Sequence, residues 1–142
     1  MNIRFEQRKP FFVSGYSMET SEETLEKDCA TLREKYEDKL RTISNHLYFI
    51  AWMGEEETMI YHFGVEVPDL NPVTSGATCV EIPASRFIVG TVPEGASVLA
   101  TWYEFFEKGI PSSGAEIDIE FPYHFESFDE KGSCTLWTPV KE

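Results

Sequence analysis

One acidic side chain, Glu126, lies in a stretch that has few other charges. The stretch 123–129 is predicted to be a β-strand, followed by a tight turn at Lys131-Gly132 and a final strand over 134–140. With that turn, Glu126 lies directly opposite Trp137, and the two side chains project from the same face of the hairpin. The pattern therefore predicts a carboxylate beside an indole ring.

Two further side chains, His124 and Phe128, share this predicted face because residues two apart in a strand point the same way. A carboxylate among aromatic rings suits a lipophilic cation, since the rings provide apolar area and cation–π attraction while the carboxylate provides the opposite charge. Burial without a partner would raise the pKa of Glu126. The alternative from spacing alone is an exposed glutamate on an edge strand.

Hydrophobic periodicity predicts the elements that carry these residues. In the first half, apolar residues at spacings of three and four predict a helix over 21–44, begun by a capping box of Thr20 and Glu23. Charged residues between them, such as Arg33, are assigned to the solvated face of this helix. The apolar stripe consists of Leu25, Cys29, Leu32, Tyr36, Leu40 and Ile43.

The other segments predict strands and one shorter helix, over 96–108, which Gly109 is well placed to end. A strand containing Ile117 and Ile119 is interrupted by Pro122. The remaining predicted strands cover 11–16, 46–52, 59–67, 78–82 and 86–92.

An internal repeat follows from this order. The segment Phe12-Val-Ser-Gly15 matches Phe87-Ile-Val-Gly90 at an offset of 75, and the same offset brings Tyr48 onto Tyr123. Both halves are predicted to run strand, helix, strand, strand. The repetition predicts an α+β fold in which duplicated β-α-β-β units form one antiparallel sheet, with two helices flanking a central groove.

The first unit is expected to span about 10–68 and the second about 85–141, within a single domain over 1–142. By the offset, Phe49 corresponds to His124 and so shares the face of Glu126. Trp102 on the second helix is placed to close the groove, and Tyr36 on the first helix is a similar candidate. For Trp102, Tyr36 and Trp137 alike, the alternative is that the side chain packs in the core.

The charge argues against several partners. The chain has 142 residues and a formal net charge of −13. Such a surface repels phosphate groups, so direct binding to nucleic acid or to an anionic membrane is not expected. A cationic ligand or a basic partner is favoured, although the charge can also serve solubility alone.

Neither a metal nor a cofactor is expected, because no ligand spacing or phosphate-binding motif occurs. The first ten residues lack the apolar segment of a signal peptide, and no apolar run approaches the ~20 residues of a membrane helix. The cysteines are therefore expected to be reduced in a cytoplasmic protein. The cysteines and histidines that lack such a spacing are Cys29, Cys79, Cys134, His46, His62 and His124.

Three stretches carry a resemblance to the GyrI-like family of bacterial effector-binding domains. Val80-Glu-Ile-Pro-Ala-Ser-Arg-Phe87 is similar to the family's entry to the second repeat, and Lys108-Gly-Ile-Pro-Ser-Ser-Gly114 to the segment that ends its second helix. The region from Phe121 to Val140 resembles the stretch with the family's acidic residue and its closing strand. The resemblance covers about residues 4–141.

The resemblance implies a small-molecule effector-binding protein linked to transcription regulation or to drug and toxin response. It assigns the acidic position to Glu126, and it implies that a single domain would act alone or through a separate regulator protein. Two alternatives follow from other relatives: a hydrolase of reactive electrophiles with Glu126 as general base, and a gyrase-inhibitor-like module that binds protein. The sequence departs from the family at Gly109, Ala115 and Phe128, where Trp, Tyr and Tyr are frequent, and the last change weakens the hydrolase.

Overall fold

In the part of the chain that the structure describes, eight β-strands form one antiparallel sheet, and the helices pack against one of its faces. This computed structural model describes residues 1–71 and 75–142. The strands are β1 (Ile3–Arg8), β2 (Phe11–Thr20), β3 (Leu47–Met53), β4 (Met59–Val67), β5 (Thr78–Ile82), β6 (Ser85–Thr91), β7 (His124–Phe128) and β8 (Cys134–Val140). The helices are α1 (Leu25–Arg41), α2 (Val98–Glu104) and α3 (Ile110–Ser113), with a 3₁₀ turn at Glu55–Glu57. The α+β class, the antiparallel sheet and its helices are confirmed.

The strand order is β1-β6-β8-β7-β3-β4-β2-β5. The β3–β7 pair at the centre joins the two halves of the chain. Seven of the predicted strands occur, and β4, β5 and β8 have the predicted bounds, whereas the bounds of the other four differ by one to four residues. Among the described residues, no helix combines the length and the apolar character needed to cross a membrane. The loop predicted over 68–76 includes residues 72–74, which lie outside the described residues.

Two short connections force the sheet to curl. Lys9-Pro10 joins β1 to β2, and Pro83-Ala84 joins β5 to β6, although each connection links strands six positions apart in the order. Six strand spacings would be about 29 Å in a flat sheet, whereas two linking residues span at most about 11 Å. The edges therefore approach each other, and Arg8 of β1 forms an ion pair of 3.1 Å with Glu66 of β4.

Each face of the sheet packs its own core. The helix-side core includes Leu25, Leu32, Leu40, Phe49, Phe63, Phe105, Phe128 and Leu136. The far-side core consists of Phe11, Val13, Tyr48, Ile50, Ile82, Phe87, Val89, Phe125 and Trp137. The curled sheet brings these far-side residues together, and the guanidinium of Arg8 lies 3.9 Å from the ring centre of Phe11. Two cores explain how a domain of this size buries so many aromatic rings.

The first helix is shorter than predicted, and the capping box is wrong. Thr20 is the last residue of β2, because pairing with Met59 of β4 extends that strand beyond the predicted end. The Oγ1 atoms of Thr20 and Thr24 both donate to Oδ2 of Asp28, at 2.6 and 2.9 Å. The carboxylate of Asp28, in the first turn of α1, thus links the end of β2 to the start of this helix by hydrogen bonds.

The second helix continues past its predicted end. Ser97 caps α2 by accepting a hydrogen bond from the backbone N of Ala100 at 3.2 Å. A wide π-helical turn, Phe105–Gly109, then leads into α3, and the chain leaves the helix at Gly114 with φ 77°. Gly109 does not end the helix. A Cβ at this position would lie 2.9 Å from the side chain of Ile3, so the absence of a side chain allows β1 to pack closely against this turn.

Two further strand predictions need correction. The strand β1 was not predicted, because its short alternating segment contains too few apolar residues to stand out. The predicted strand at Ile117 and Ile119 is reduced to a single bridge between Ile117 and Val140, and Ile119 is 85% exposed.

The offset of 75 holds for the second hairpin of each half. Ile50 lies opposite His62 in the β3–β4 pair. The residues 75 positions later, Phe125 and Trp137, lie opposite each other in the β7–β8 pair. The two hairpins therefore have the same register.

The same offset fails for the first strand of each half. Phe12 pairs with Val67, so the offset would pair Phe87 with Glu142, but Phe87 pairs with Pro139. The match of Phe12 with Phe87 is therefore not a match of equivalent sheet positions. Duplication of the whole unit stays a prediction.

His62 is buried between β2 and β4 on the far side of the sheet. Its Nε2 donates to the carbonyl of Val13 at 3.1 Å, and the hydroxyl of Ser17 lies 2.7 Å from Nδ1. Burial lowers the pKa of His62 to about 4. His124 projects from the opposite, helix-side face, so the two histidines do not share a face.

Replacing His62 by glutamine should remove part of the protein's acid sensitivity. Because the folded pKa lies below the ordinary value of 6.5, the unfolded chain binds more protons between pH 6.5 and 4. Stability is therefore fully present above pH 6.5 and is lost by about 3 kcal/mol as the pH falls to 4. The variant keeps hydrogen-bonding groups but not this titration, and urea unfolding at pH 7 and 4.5 measures the difference.

His46 is exposed, so His46→Gln is the matched control and should unfold with the pH dependence of the unsubstituted protein. An unchanged pH dependence in His62→Gln would contradict the assignment.

Candidate functional site

Glu126 lies in the middle of the sheet. Its strand β7 is flanked by β3 and β8, where Glu126 pairs with Phe49 and Leu136. Only 7% of Glu126 is exposed. The alternative of an exposed edge-strand glutamate is therefore wrong, and the predicted shared face of Glu126 and Phe49 is confirmed.

The predicted pairing of Glu126 with Trp137 is wrong by one residue. Asp129 and Ser133 pair around a three-residue loop, where Oδ1 of Asp129 accepts hydrogen bonds from the backbone N of Lys131 and of Ser133, both at 2.9 Å. A shift of one residue moves a side chain to the other face of a strand. Trp137 therefore points into the far-side core.

In the far-side core, the indole of Trp137 stacks on Phe125 with ring centres 5.3 Å apart. Its Nε1 donates to Oγ of Ser127 at 2.9 Å. The structure does not bring Trp137 to the groove, so it is removed from the candidate site.

Trp102 reaches Glu126 from α2. Its Nε1 donates to Oε2 of Glu126 at 2.6 Å. Within the described residues, Oε1 of Glu126 accepts no hydrogen bond, yet no buried side-chain oxygen is left without a partner. Oε1 is therefore not fully enclosed by protein atoms.

Two adjoining cavities form the groove between the helices. The acid cavity has a volume of about 480 Å³ and is lined by residues that include Cys29, Arg33, Phe49, Glu126 and Phe128. The aromatic cavity has a volume of about 610 Å³ and is lined by residues that include Trp52, Met53, Tyr103, Phe106, Phe121 and His124. Both cavities share Leu25, Tyr61, Leu99 and Trp102. The indole that binds Glu126 thus lies where the cavities meet.

His124 and Phe128 lie on the predicted face but in different cavities. His124 lines the aromatic cavity, its ring centre is 5.8 Å from that of Phe106, and burial lowers its pKa. Phe128 and Phe49 line the acid cavity. Tyr36 lines neither cavity, because its ring stacks on Tyr16 at 3.7 Å between ring centres.

The environment of Glu126 favours its neutral form. Burial raises the pKa of Glu126 to about 7, while the hydrogen bond from Trp102 and the charge of Arg33 act in the opposite direction. Burial, and secondarily the charge of Glu126, raises the pKa values of Tyr61, Cys29 and Cys134. The site can therefore hold a carboxylate that exchanges a proton near neutral pH.

Arg33 lines the acid cavity, in contrast to its predicted place. It was assigned to the solvated face of α1, but its guanidinium carbon lies 4.3 Å from the ring centre of Phe128 and 5.4 Å from that of Phe49. Position 33 follows Cys29 by one helical turn, at the flank of the apolar stripe. That spacing was the available signal, since long side chains reach across such a flank.

Comparisons with known proteins agree with this architecture. Residues 4–140 match the family described as integron-associated effector binding protein. The structure of SAV2435 bound to tetraphenylphosphonium matches with a TM-score of 0.72 and 15% identity, over 99% of this chain and 94% of that chain. No curated protein matches the sequence.

Two further solved structures share the fold. A putative bacterial transcription regulation protein from Staphylococcus aureus MU50 matches with a TM-score of 0.71 and 15% identity, over 100% of this chain and 99% of that chain. An integron cassette protein, VCH_CASS2, from the mobile metagenome of Vibrio cholerae matches with a TM-score of 0.70 and 15% identity, over 98% and 95%.

The curled antiparallel sheet with a groove between its helices defines an effector-binding fold. The chain belongs to the family of integron-associated effector-binding proteins. The resemblance found in the sequence is thereby confirmed.

Replacing Glu126 by glutamine should stabilise the protein at pH 8 and have little effect at pH 5. The folded pKa of about 7 lies above the ordinary value of 4.5, so the carboxyl reduces stability progressively as the pH rises from 4.5 to 7. The loss at pH 8 is about 3 kcal/mol. Glutamine removes that titration and can still accept from Trp102, and urea unfolding at both pH values measures the change.

Glu130 is an exposed acid on the same hairpin, so Glu130→Gln is the control and should change stability little at either pH. An equal effect of Glu126→Gln at pH 5 and pH 8 would show that the buried charge is not its cause.

Proposed function

We propose that the protein binds a small amphipathic molecule that carries a positive charge, with Glu126 as its counter-charge. The observation that supports this most is the carboxylate itself, which is buried in the central strand with Oε2 held by Trp102 and Oε1 facing the cavity. A buried carboxylate with an open acceptor is stabilised when a cation enters.

The aromatic cavity provides the apolar part of the site. Its lining includes Trp52, Phe106 and Phe121, and its rim carries Glu22 and Glu120. Among the described residues that line it there is no lysine or arginine. Aromatic faces attract a cation by about 0.5–2 kcal/mol each, and a volume of about 610 Å³ lies in the range of drug-sized ligands.

The relatives support the same ligand class and a regulatory role. SAV2435 was solved with tetraphenylphosphonium, which is a lipophilic cation, and the S. aureus MU50 relative is described as a transcription regulation protein. We infer that this protein reports its ligand through a separate regulator protein rather than by touching nucleic acid. The net charge of −13 opposes direct contact with phosphate groups.

Hydrolysis of a reactive electrophile is the second candidate. A carboxyl with a pKa of about 7 suits a general base at neutral pH. Phe128 lacks the hydroxyl that relatives often have there, but the phenol of Tyr61 lines both cavities. Turnover of an electrophile that Glu126→Gln abolishes would favour this reading over simple binding.

Tetraphenylphosphonium should bind more weakly to Glu126→Gln than to the unsubstituted protein, by about tenfold at pH 8. Binding to the unsubstituted protein should also weaken at pH 5.5, because Glu126 is protonated below its pKa of about 7. Isothermal titration calorimetry at both pH values measures these affinities, and the variant should show little dependence on pH.

Glu130→Gln again serves as the control and should bind as the unsubstituted protein does. Equal affinity of tetraphenylphosphonium for both variants would mean that Glu126 is not the counter-charge.

A further inference from the structure

The acid cavity contains a cation of its own. The guanidinium of Arg33 lies over Phe128 and near Phe49, which are the aromatic faces that an entering cation would otherwise use. Glu126 and Phe128 are two residues apart on one face of β7, a separation of about 7 Å along the strand. The positive group of Arg33 and the negative group of Glu126 therefore lie in one cavity without forming a direct ion pair among the described residues.

Arg33 keeps hydrogen-bonding capacity for a ligand. Its Nη1 donates to Oε1 of Glu37 at 2.8 Å, and within residues 1–71 and 75–142 this is its one hydrogen bond to a side chain. A guanidinium has five N–H donors. About one third of the side chain is exposed, at 33%, and Arg33 lines the acid cavity.

We propose that Arg33 and Glu126 together make the groove select a zwitterion, that is, one apolar scaffold that carries both a cationic and an anionic group. The cationic group binds Oε1 of Glu126, the anionic group binds the free N–H groups of Arg33, and the apolar part extends past Trp102 into the aromatic cavity. A ligand with only a positive charge meets the repulsion of Arg33 in the same cavity. The inference rests on the proposed function and narrows its ligand class.

The charges on every side of the cavity are consistent with this assignment. Helix α1 contributes Arg33 and Glu26, α2 contributes the N–H donor of Trp102, and β7 contributes Glu126. Glu37 is engaged by two arginines, through Arg33 and through Nε of Arg41 at 3.1 Å. Glu37 is therefore already paired, and Glu26, the other acid lining this cavity among the described residues besides Glu126, is exposed to solvent, which screens its charge.

Two dyes test the inference because they differ by one methyl ester. Rhodamine 123 is a cation, and rhodamine 110, its free carboxylic acid, is a zwitterion at pH 8. Fluorescence anisotropy should show that the protein binds rhodamine 110 more tightly than rhodamine 123, by about tenfold. Arg33→Met should remove that preference by weakening rhodamine 110 and strengthening rhodamine 123.

Arg41→Met is the matched control, since Arg41 binds the same Glu37 from the same helix but lines neither cavity. It should keep the preference for rhodamine 110. Arg33→Gln also removes the positive charge but keeps a polar side chain, and it should behave like Arg33→Met. Circular dichroism melting of all three variants verifies that they are folded.

Each outcome separates this inference from the proposed function. If both dyes bind with an affinity that depends on Glu126 but Arg33→Met leaves their ratio unchanged, the role of Arg33 is overturned and the cation site stands. Tighter binding of rhodamine 123 than of rhodamine 110 by the unsubstituted protein overturns it as well. If neither dye binds while tetraphenylphosphonium still binds in a way that depends on Glu126, this inference alone is overturned, and if tetraphenylphosphonium does not bind either, both fail.

Discussion

The antiparallel pairing of β3 with β7 is the interaction on which the site depends. It joins the two halves of the chain in the middle of the sheet, and it sets Glu126 beside Phe49. A glutamate on an edge strand would keep its hydration, whereas a glutamate here loses it on both sides. Because α1 and α2 pack on the same face over the two halves, the groove between them lies above this pair.

The protein offsets only part of the free-energy cost of burying the Glu126 carboxylate. Trp102 donates one hydrogen bond and Arg33 contributes a positive charge from a distance, and the pKa of Glu126 still rises to about 7. A protein that needed only stability would have a fuller set of partners or an apolar side chain at this position. Incomplete compensation in a cavity is typical of a site that a ligand completes.

The aromatic residues lie in two places, the far-side core and the wall of the groove, on opposite faces of the curled sheet. Fourteen per cent of the residues are aromatic, and their number alone is compatible with a core or with a cavity. Phe87, Phe125 and Trp137 fill the far-side core that the short β1–β2 and β5–β6 connections close. Trp102 of α2 and Phe106 of the π-helical turn that follows it stack with ring centres 5.4 Å apart, and both line the groove.

Local patterns in the sequence determined most elements and the candidate acid. Apolar periodicity located α1 and seven strands, and the shared face of Glu126 with His124 and Phe128 follows from the period of two along a single strand. These inferences need only neighbours in the chain, so they survive without knowledge of the fold. The internal repeat predicted the architecture, and the resemblance to a family added the effector-binding role.

Only the tertiary structure decided which rings face the acid. The loop after β7 contains one residue more than the tight turn predicted, and that residue moves Trp137 to the opposite face. Likewise, Arg33 reaches Phe128 and Tyr36 stacks on Tyr16, although spacing places Tyr36 in the apolar stripe of α1 and Arg33 on its solvated face. Register and the packing of one element on another depend on contacts between distant segments, which periodicity within a segment does not contain.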